Sequence, residues 1–197
     1  MGLVTIGELL GLDEYETRRP QIQKELMSLR QTLRLSLGSI ISLSFEDRRT
    51  VWYQIQEMLR AERITNSDRI QDELDAYNSL IPTQGELVAT LFIEITSQEQ
   101  IKARLSELAG IEHSVGLTVG DSFTVSAFGE DRRSSDGRTS SVHYLRFYLE
   151  RSVQEEFQNP SRSAAVFINH PRYNVQSEIP LSMREALIGI LDSWGDQ

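Results

Sequence analysis

The chain alternates between stretches with a helical period and stretches with a strand period. In residues 48–64, RRTVWYQIQEMLRAERI, an advance of about 100° per residue from Thr50 gathers Val51, Trp52, Ile55, Met58 and Leu59 within one half-turn. The same period predicts a helix over roughly 49–63, and it sets Glu62 among those apolar positions. Thr50, Gln54, Glu57 and Ala61 recur at i, i+4, i+7 and i+11 as an opposing polar stripe. A second helix, opened by Asn66 or Ser67 and carrying Ile70, Leu74 and Tyr77, completes an αα-hairpin that Pro82 ends.

Elsewhere the period is two. Leu33, Leu35 and Leu37 alternate, Gly38 interrupts, and Ile41, Leu43 and Phe45 alternate again, as in a hairpin or bulged strand. ELVATLFIEI at 86–95 is apolar on both sides, which predicts a central strand covered on both faces. Further strands are expected near 113–119 and 122–128 around a Gly120–Asp121 turn, then at 142–150 and 164–169. Pro20 fits the first turn of a helix whose apolar positions are Ile22, Leu26, Leu29 and Leu33. Helices at 97–109, 152–158 and 182–194 are expected too, the first closed by Gly110 and the last carrying Met183, Leu187, Ile190, Leu191 and Trp194. Thr5 with Glu8, Ser97 with Gln100, Ser152 with Glu155 and Ser182 with Glu185 have the spacing of capping boxes. GEDRRSSDGRTS, 129–140, is a polar loop expected to be mobile. These elements predict a single α+β domain over 1–197, with a mainly antiparallel sheet packed with an αα-hairpin and several capping helices. Residues 1–32 are its helical N-terminal segment and form no separate domain.

The chain has 197 residues and can bury roughly 70% of its unfolded surface. Twenty Lys and Arg against 29 Asp and Glu leave a net charge of −9. That balance argues against a general nucleic-acid or anionic-membrane binder, although the Arg48–Arg49 and Arg132–Arg133 pairs keep phosphate contacts in view. The absence of cysteine excludes disulfides, thiolate catalysis, zinc–thiolate sites and cysteine-bound iron–sulfur clusters. No run of 18 apolar residues spans a membrane, and Ile6 stands where a myristoylation signal wants Ser or Thr. MGLVTIGELLGLDEYETRR has neither a basic n-region nor a long apolar h-region. A cytoplasmic, bacterial-type protein is expected, with homo-oligomerisation left open.

Common catalytic motifs are missing. Gly120-Asp121-Ser122-Phe123 looks like the nucleophile block of the GDSL esterases, but no histidine has an Asp three residues before it to complete the site. The string reads better as a turn. His143 alternates with Val142 and Tyr144 and is expected to be half-buried in a sheet, and His113 lies near a helix end. His170, at a strand end before Pro171, either bonds its own loop or contributes to a site. The acids carry more information. Glu57 belongs either to a solvated face or to a small ligand or metal site facing the sheet. Glu62, if buried, needs a partner from outside its own helix face, such as Arg49, Arg146 or Arg172. A structural ion pair is the preferred account, ahead of a functional acid or of fraying into water. Glu57, Glu62 and His170, with Glu94, are donor types that suit non-haem iron or manganese. No cofactor is otherwise predicted.

FEDRRTVWYQIQEMLRAERI, IQDELDAYNSLIP, GELVATLFIEI and the late HPRY, in that order, resemble an uncharacterised bacterial domain-of-unknown-function family. The resemblance runs from about Thr5 to Trp194. Gln54, Glu57, Glu62, Glu94, His170 and Tyr173 stand at its motif positions and form the candidate cluster. Genes of that family often neighbour rubrerythrin and an iron–sulfur protein related to heterodisulfide reductase subunits. The resemblance therefore implies an accessory or interaction partner of a non-haem-iron or peroxide-related redox system. A metal- or ligand-binding enzyme using Glu57, Glu62, Glu94 and His170 is the alternative. A small-molecule sensor, with its pocket between the αα-hairpin and the sheet, is the third.

Overall fold

The computed structural model describes residues 2–120, 123–129 and 139–193. Its elements group into two compact units, Met1–Thr32 with Glu46–Pro82, and Leu33–Phe45 with Thr83–Gln197. The chain is α+β with antiparallel strands throughout, but the strands form two sheets where one was expected.

The first unit is helical: α1 (Leu12–Thr32), α2 (Arg48–Ala61) and α3 (Ser67–Asn78). α2 starts at Asp47, whose carboxylate accepts from the Arg49 N–H, while the Thr50 hydroxyl accepts from the Asp47 N–H. Two of the orphan donors at the helix start are thereby satisfied. Asn66 caps α3 through the N–H groups of Asp68 and Arg69. Val51, Ile55 and Leu59 are buried as the helical period requires. α1 departs from expectation, because it begins at Leu12 and holds Pro20 within it. The proline removes one internal hydrogen bond from the helix, and of the 21 residues Tyr15 and Leu26 are buried.

The second unit holds both sheets. One has the order β1-β2-β3-β7-β6, built from β1 (Arg34–Leu37), β2 (Ile41–Phe45), β3 (Glu86–Ile93), β6 (Phe128–Gly129) and β7 (Val142–Tyr148). β3 is central as predicted, with Leu91 opposite Leu43 on one side and His143 on the other. The other sheet has the order β5-β4-β8-β9, from β4 (Val115–Val119), β5 (Phe123–Ser126), β8 (Ala164–His170) and β9 (Tyr173–Glu178). Gly116 faces Phe167 across the β4–β8 pair so closely that a Cβ there would collide with the ring. α4 (Ile101–Glu107), α5 (Arg151–Gln158) and α6 (Leu181–Asp192) complete the unit.

Several boundaries differ from the sequence-based expectation. β9 was not anticipated, and the strand expected at 122–128 is two short strands in different sheets. Thr5–Glu8 forms its capping box, around a 3-10 turn at Ile6–Glu8. The serine boxes do not form, because α5 and α6 begin one residue before Ser152 and Ser182, and α4 begins only at Ile101. Gly120 takes the turn conformation at φ +56. Asp121, Ser122, Arg132, Arg133, most of the polar loop (130–138) and Trp194 lie outside the described residues.

Candidate functional site

The polar face of α2 is turned toward α1. Arg19 donates to both Glu57 oxygens, Nε to Oε1 at 2.7 Å and Nη2 to Oε2 at 2.9 Å. The buried Tyr15 hydroxyl donates to Oε1 at 2.7 Å, and Arg60 Nη2 lies 3.5 Å from Oε2. The Arg19 bonds hold the Glu57 carboxyl down to about 2, burial opposes them and Tyr15 reinforces them. Tyr15 is itself pushed up, first by burial and then by its bond to Glu57. A carboxylate so weakly basic is poorly matched to proton abstraction near neutral pH. Glu57 is a helix–helix lock.

Glu62 answers differently from its place on the helical wheel. α2 ends at Ala61, and Arg63 takes the left-handed conformation at φ +52. The Ile64 N–H returns to the Leu59 carbonyl at 2.9 Å and the Arg63 N–H to Arg60 at 3.3 Å, the two bonds of a Schellman stop. The helix therefore finishes before Glu62 reaches the apolar side. Its carboxylate is half exposed and meets Arg69 at 3.3 Å, so none of Arg49, Arg146 or Arg172 is its partner. Gln54 is half-buried on the same helix. Its neighbour Gln56, unremarked by periodicity, is fully buried. Gln56 accepts from the Leu10 N–H at 2.6 Å and donates to the Leu10 carbonyl at 3.3 Å.

The remaining candidates belong to the sheet unit. Glu94 pairs with Arg34, both half exposed. His170 ends β8 and is buried, its Nδ1 accepting from the Arg172 N–H and its Nε2 lying 3.2 Å from the Ala109 carbonyl. A carbonyl only accepts, so Nε2 donates in this contact. The Tyr173 hydroxyl donates to the Leu37 carbonyl at 2.6 Å. His170 and Tyr173 are register partners across the β8–β9 turn. Gln54, Glu57 and Glu62 fall in the helical unit. Among the described residues no three His, Asp or Glu side chains are placed to share a metal ion.

Two further groupings escaped the sequence. In the sheet unit His143 is fully buried, where half-burial was expected, together with Glu112 and Thr139. Thr139 Oγ1 stands 2.7 Å from His143 Nε2 and donates to Glu112 Oε2 at 3.3 Å. Nε2 also lies 2.9 Å from the Ser140 carbonyl. With the hydroxyl between acid and imidazole, this is not the order that activates a nucleophile, in which the imidazole stands between. In the helical unit, a pocket of about 510 Å³ opens between α1 and the first turns of α2. Leu10, Ile22, Leu26, Leu29 and Trp52 form its apolar part. No local spacing signals this pocket, because its walls come from segments far apart in the chain.

The family model described as "Protein of unknown function (DUF3501)" matches residues 3–191. A similar solved structure is the crystal structure of a novel protein of unknown function from Burkholderia pseudomallei K96243. It is 35% identical, with 97% of this chain and 100% of that chain covered, at a TM-score of 0.90. No curated protein matches the chain.

Proposed function

We propose that this chain, which belongs to the DUF3501 family of proteins of unknown function, acts as a non-catalytic accessory of a non-haem-iron or peroxide-related redox system. The observation behind this reading is that Glu57, the candidate acid with the most partners, and the candidate imidazole already serve the fold. Glu57 is held by Arg19 and Tyr15, and both nitrogens of His170 by backbone groups, whereas Glu62 and Glu94 stand in half-exposed ion pairs with Arg69 and Arg34. A reacting group needs a free lone pair or proton at the substrate, and a metal would have to displace these partners. An interaction protein needs neither. Its net charge of −9 favours long-range attraction to a partner with a basic docking face. The kind of partner, rubrerythrin or a heterodisulfide-reductase-like iron–sulfur protein, comes from the gene neighbourhood of the resembled family.

The test is sedimentation of the purified protein with each of these two partners at micromolar concentration and low salt. A co-sedimenting complex that weakens as salt rises is expected. Independent sedimentation with both partners would end the proposal. Elemental analysis of protein purified without chelator addresses the metal-enzyme alternative, and stoichiometric iron or manganese would favour it instead.

A further inference from the structure

The pocket in the helical unit has the make-up of a ligand site that the accessory role does not use. Its volume, about 510 Å³, lies within the range of small-molecule pockets. Ile22, Leu26 and Leu29 stand at i, i+4 and i+7 along α1, one stripe. Of these, Leu26 alone is buried, while Ile22, Leu29 and Trp52 remain half-exposed along the groove. From Ile22 to Leu29 the apolar floor extends about 10 Å at the helical rise, the reach of a medium-length acyl chain.

The rim supplies the charge. Arg48 is committed to the fold, since it donates to the carbonyls of Gly2 and Leu3 and to Glu8. Arg18 is not: it pairs with Glu14 with both side chains more than half exposed. Exposed pairs of this kind contribute little, so the Arg18 guanidinium can turn to a ligand carboxylate at small cost. Arg49 stays forked onto its buried helix cap, Nε to Asp47 Oδ1 and Nη2 to Oδ2, each at 3.0 Å, but with 66% of its side chain exposed it can offer Nη1 to a ligand without leaving Asp47. Of the two rim acids Glu8 is paired with Arg48, while Glu25 is exposed and hydrogen-bonded to the neutral Gln21, so the rim's three arginines outnumber its acids by one.

From this apolar floor with one exchangeable cation and a second whose Nη1 faces outward from its cap we infer that the groove between α1 and α2 binds a medium-chain acyl carboxylate. The acyl chain lies along Ile22, Leu26 and Leu29 against the Trp52 indole, and the carboxylate meets Arg18 and Arg49. The inference is independent of the accessory role, which has its own test.

Trp52 makes the binding measurable. The chain has two tryptophans, so in Trp194→Phe protein the remaining fluorescence reports on the groove. Titration with decanoate is expected to change it saturably. Decanol, which lacks the charge, should bind at least about tenfold more weakly, as should decanoate to an Arg18→Met/Arg49→Met double variant. Leu29→Glu, at a half-exposed position, should abolish the response while circular dichroism stays unchanged. No saturable response to decanoate below its micelle limit would overturn the inference. Equal affinity for decanoate and decanol, unaffected by the arginine variants, would overturn it as well, since it would mark a merely sticky surface.

Discussion

The two units solve the same problem with different materials. The sheet unit encloses a continuous apolar interior: Leu37, Leu43, Leu91, Leu145 and Phe147 are fully excluded from water, and Phe45 and Phe147 meet at 6.1 Å between ring centres. The helical unit buries less of its longest helix and relies on polar clamps. Glu57 ties α2 to Arg19 and Tyr15, Gln56 grips both backbone groups of Leu10, and Asn78 does the same for Val4. Apolar burial is insensitive to protons, whereas a carboxylate clamp depends on them. The same chain should therefore respond to cavities in one unit and to pH in the other.

The largest effect is expected in the sheet unit. Phe147→Ala removes a fully buried ring and leaves a void beside Phe45, a loss of about 3–5 kcal/mol. Urea unfolding should show the midpoint falling with little change in slope. A loss below about 1 kcal/mol would mean that the interior relaxes around the hole and is less closely packed than the contacts imply.

The buried Arg184 is a polar clamp of the sheet unit, and its effect should come next in size. Arg184 is buried, with its Nε on the Phe157 carbonyl at 2.7 Å and its Nη2 on Asn159 at 2.9 Å and Glu156 at 3.3 Å; Nη1 donates to the Arg162 carbonyl. It thus gathers carbonyls from the end of α5 and the turn after it; Glu156 and Asn159 also accept from the Asn159 and Arg162 N–H groups, so Phe157 and Arg162 depend on it most. Arg184→Met keeps the length of the stem and takes this donor from the Phe157 and Arg162 carbonyls, for a loss of roughly 2–4 kcal/mol. Thermal unfolding should register it, and hydrogen exchange should localise the loosening to α5.

Glu57 sharpens the contrast through pH. Its carboxyl titrates near 2 in the folded protein against 4.5 for an unperturbed glutamate. A depressed pKa contributes stability above the unfolded value and loses it as pH falls through the folded one. The contribution is thus complete above about pH 5 and fades toward pH 2, up to about 3 kcal/mol in all. Glu57→Gln should cost about 2 kcal/mol at pH 7 and much less at pH 2, so the two stability curves converge in acid. Glu8, held near 2 chiefly by Arg48, titrates over the same window, so a residual slope remains in the variant. Parallel curves would show that the clamp is not electrostatic.

What could be read from the sequence follows the same division. β2, β3, β7 and β8 carry strong apolar patterns, and α2 and α3 carry clear stripes, so local spacing revealed them. β9 did not stand out because Ser177 occupies a half-buried position where an apolar residue would have completed the alternation Tyr173, Val175. The start of α1 was hidden because Tyr15 is the one residue of the helix buried before Pro20. The box at Asp47 was missed because its N3 residue is Thr50 in place of Glu or Gln. Periodicity marked Glu57 as special, but Arg19 and Tyr15 stand 38 and 42 residues away. No local rule supplies partners at that distance.

The smallest effect bears on Glu62. Helical periodicity carried α2 through this residue because the chain offers no glycine to announce the stop. The stop is made instead by Arg63 at φ +52, with Leu59 and Ile64, both buried, joined by its 2.9 Å hydrogen bond. A residue with a Cβ pays roughly 1 kcal/mol for the left-handed conformation. Arg63→Gly removes that cost, though glycine returns part of it as greater freedom in the unfolded chain. A net gain of a few tenths to about 1 kcal/mol is expected, seen as a small rise in melting temperature. Arg63→Val should lose more than that, because a β-branched residue tolerates positive φ worst. If glycine and valine had equal effects, α2 would not end in this way, and Glu62 would return to the apolar face that its position on the wheel first suggested.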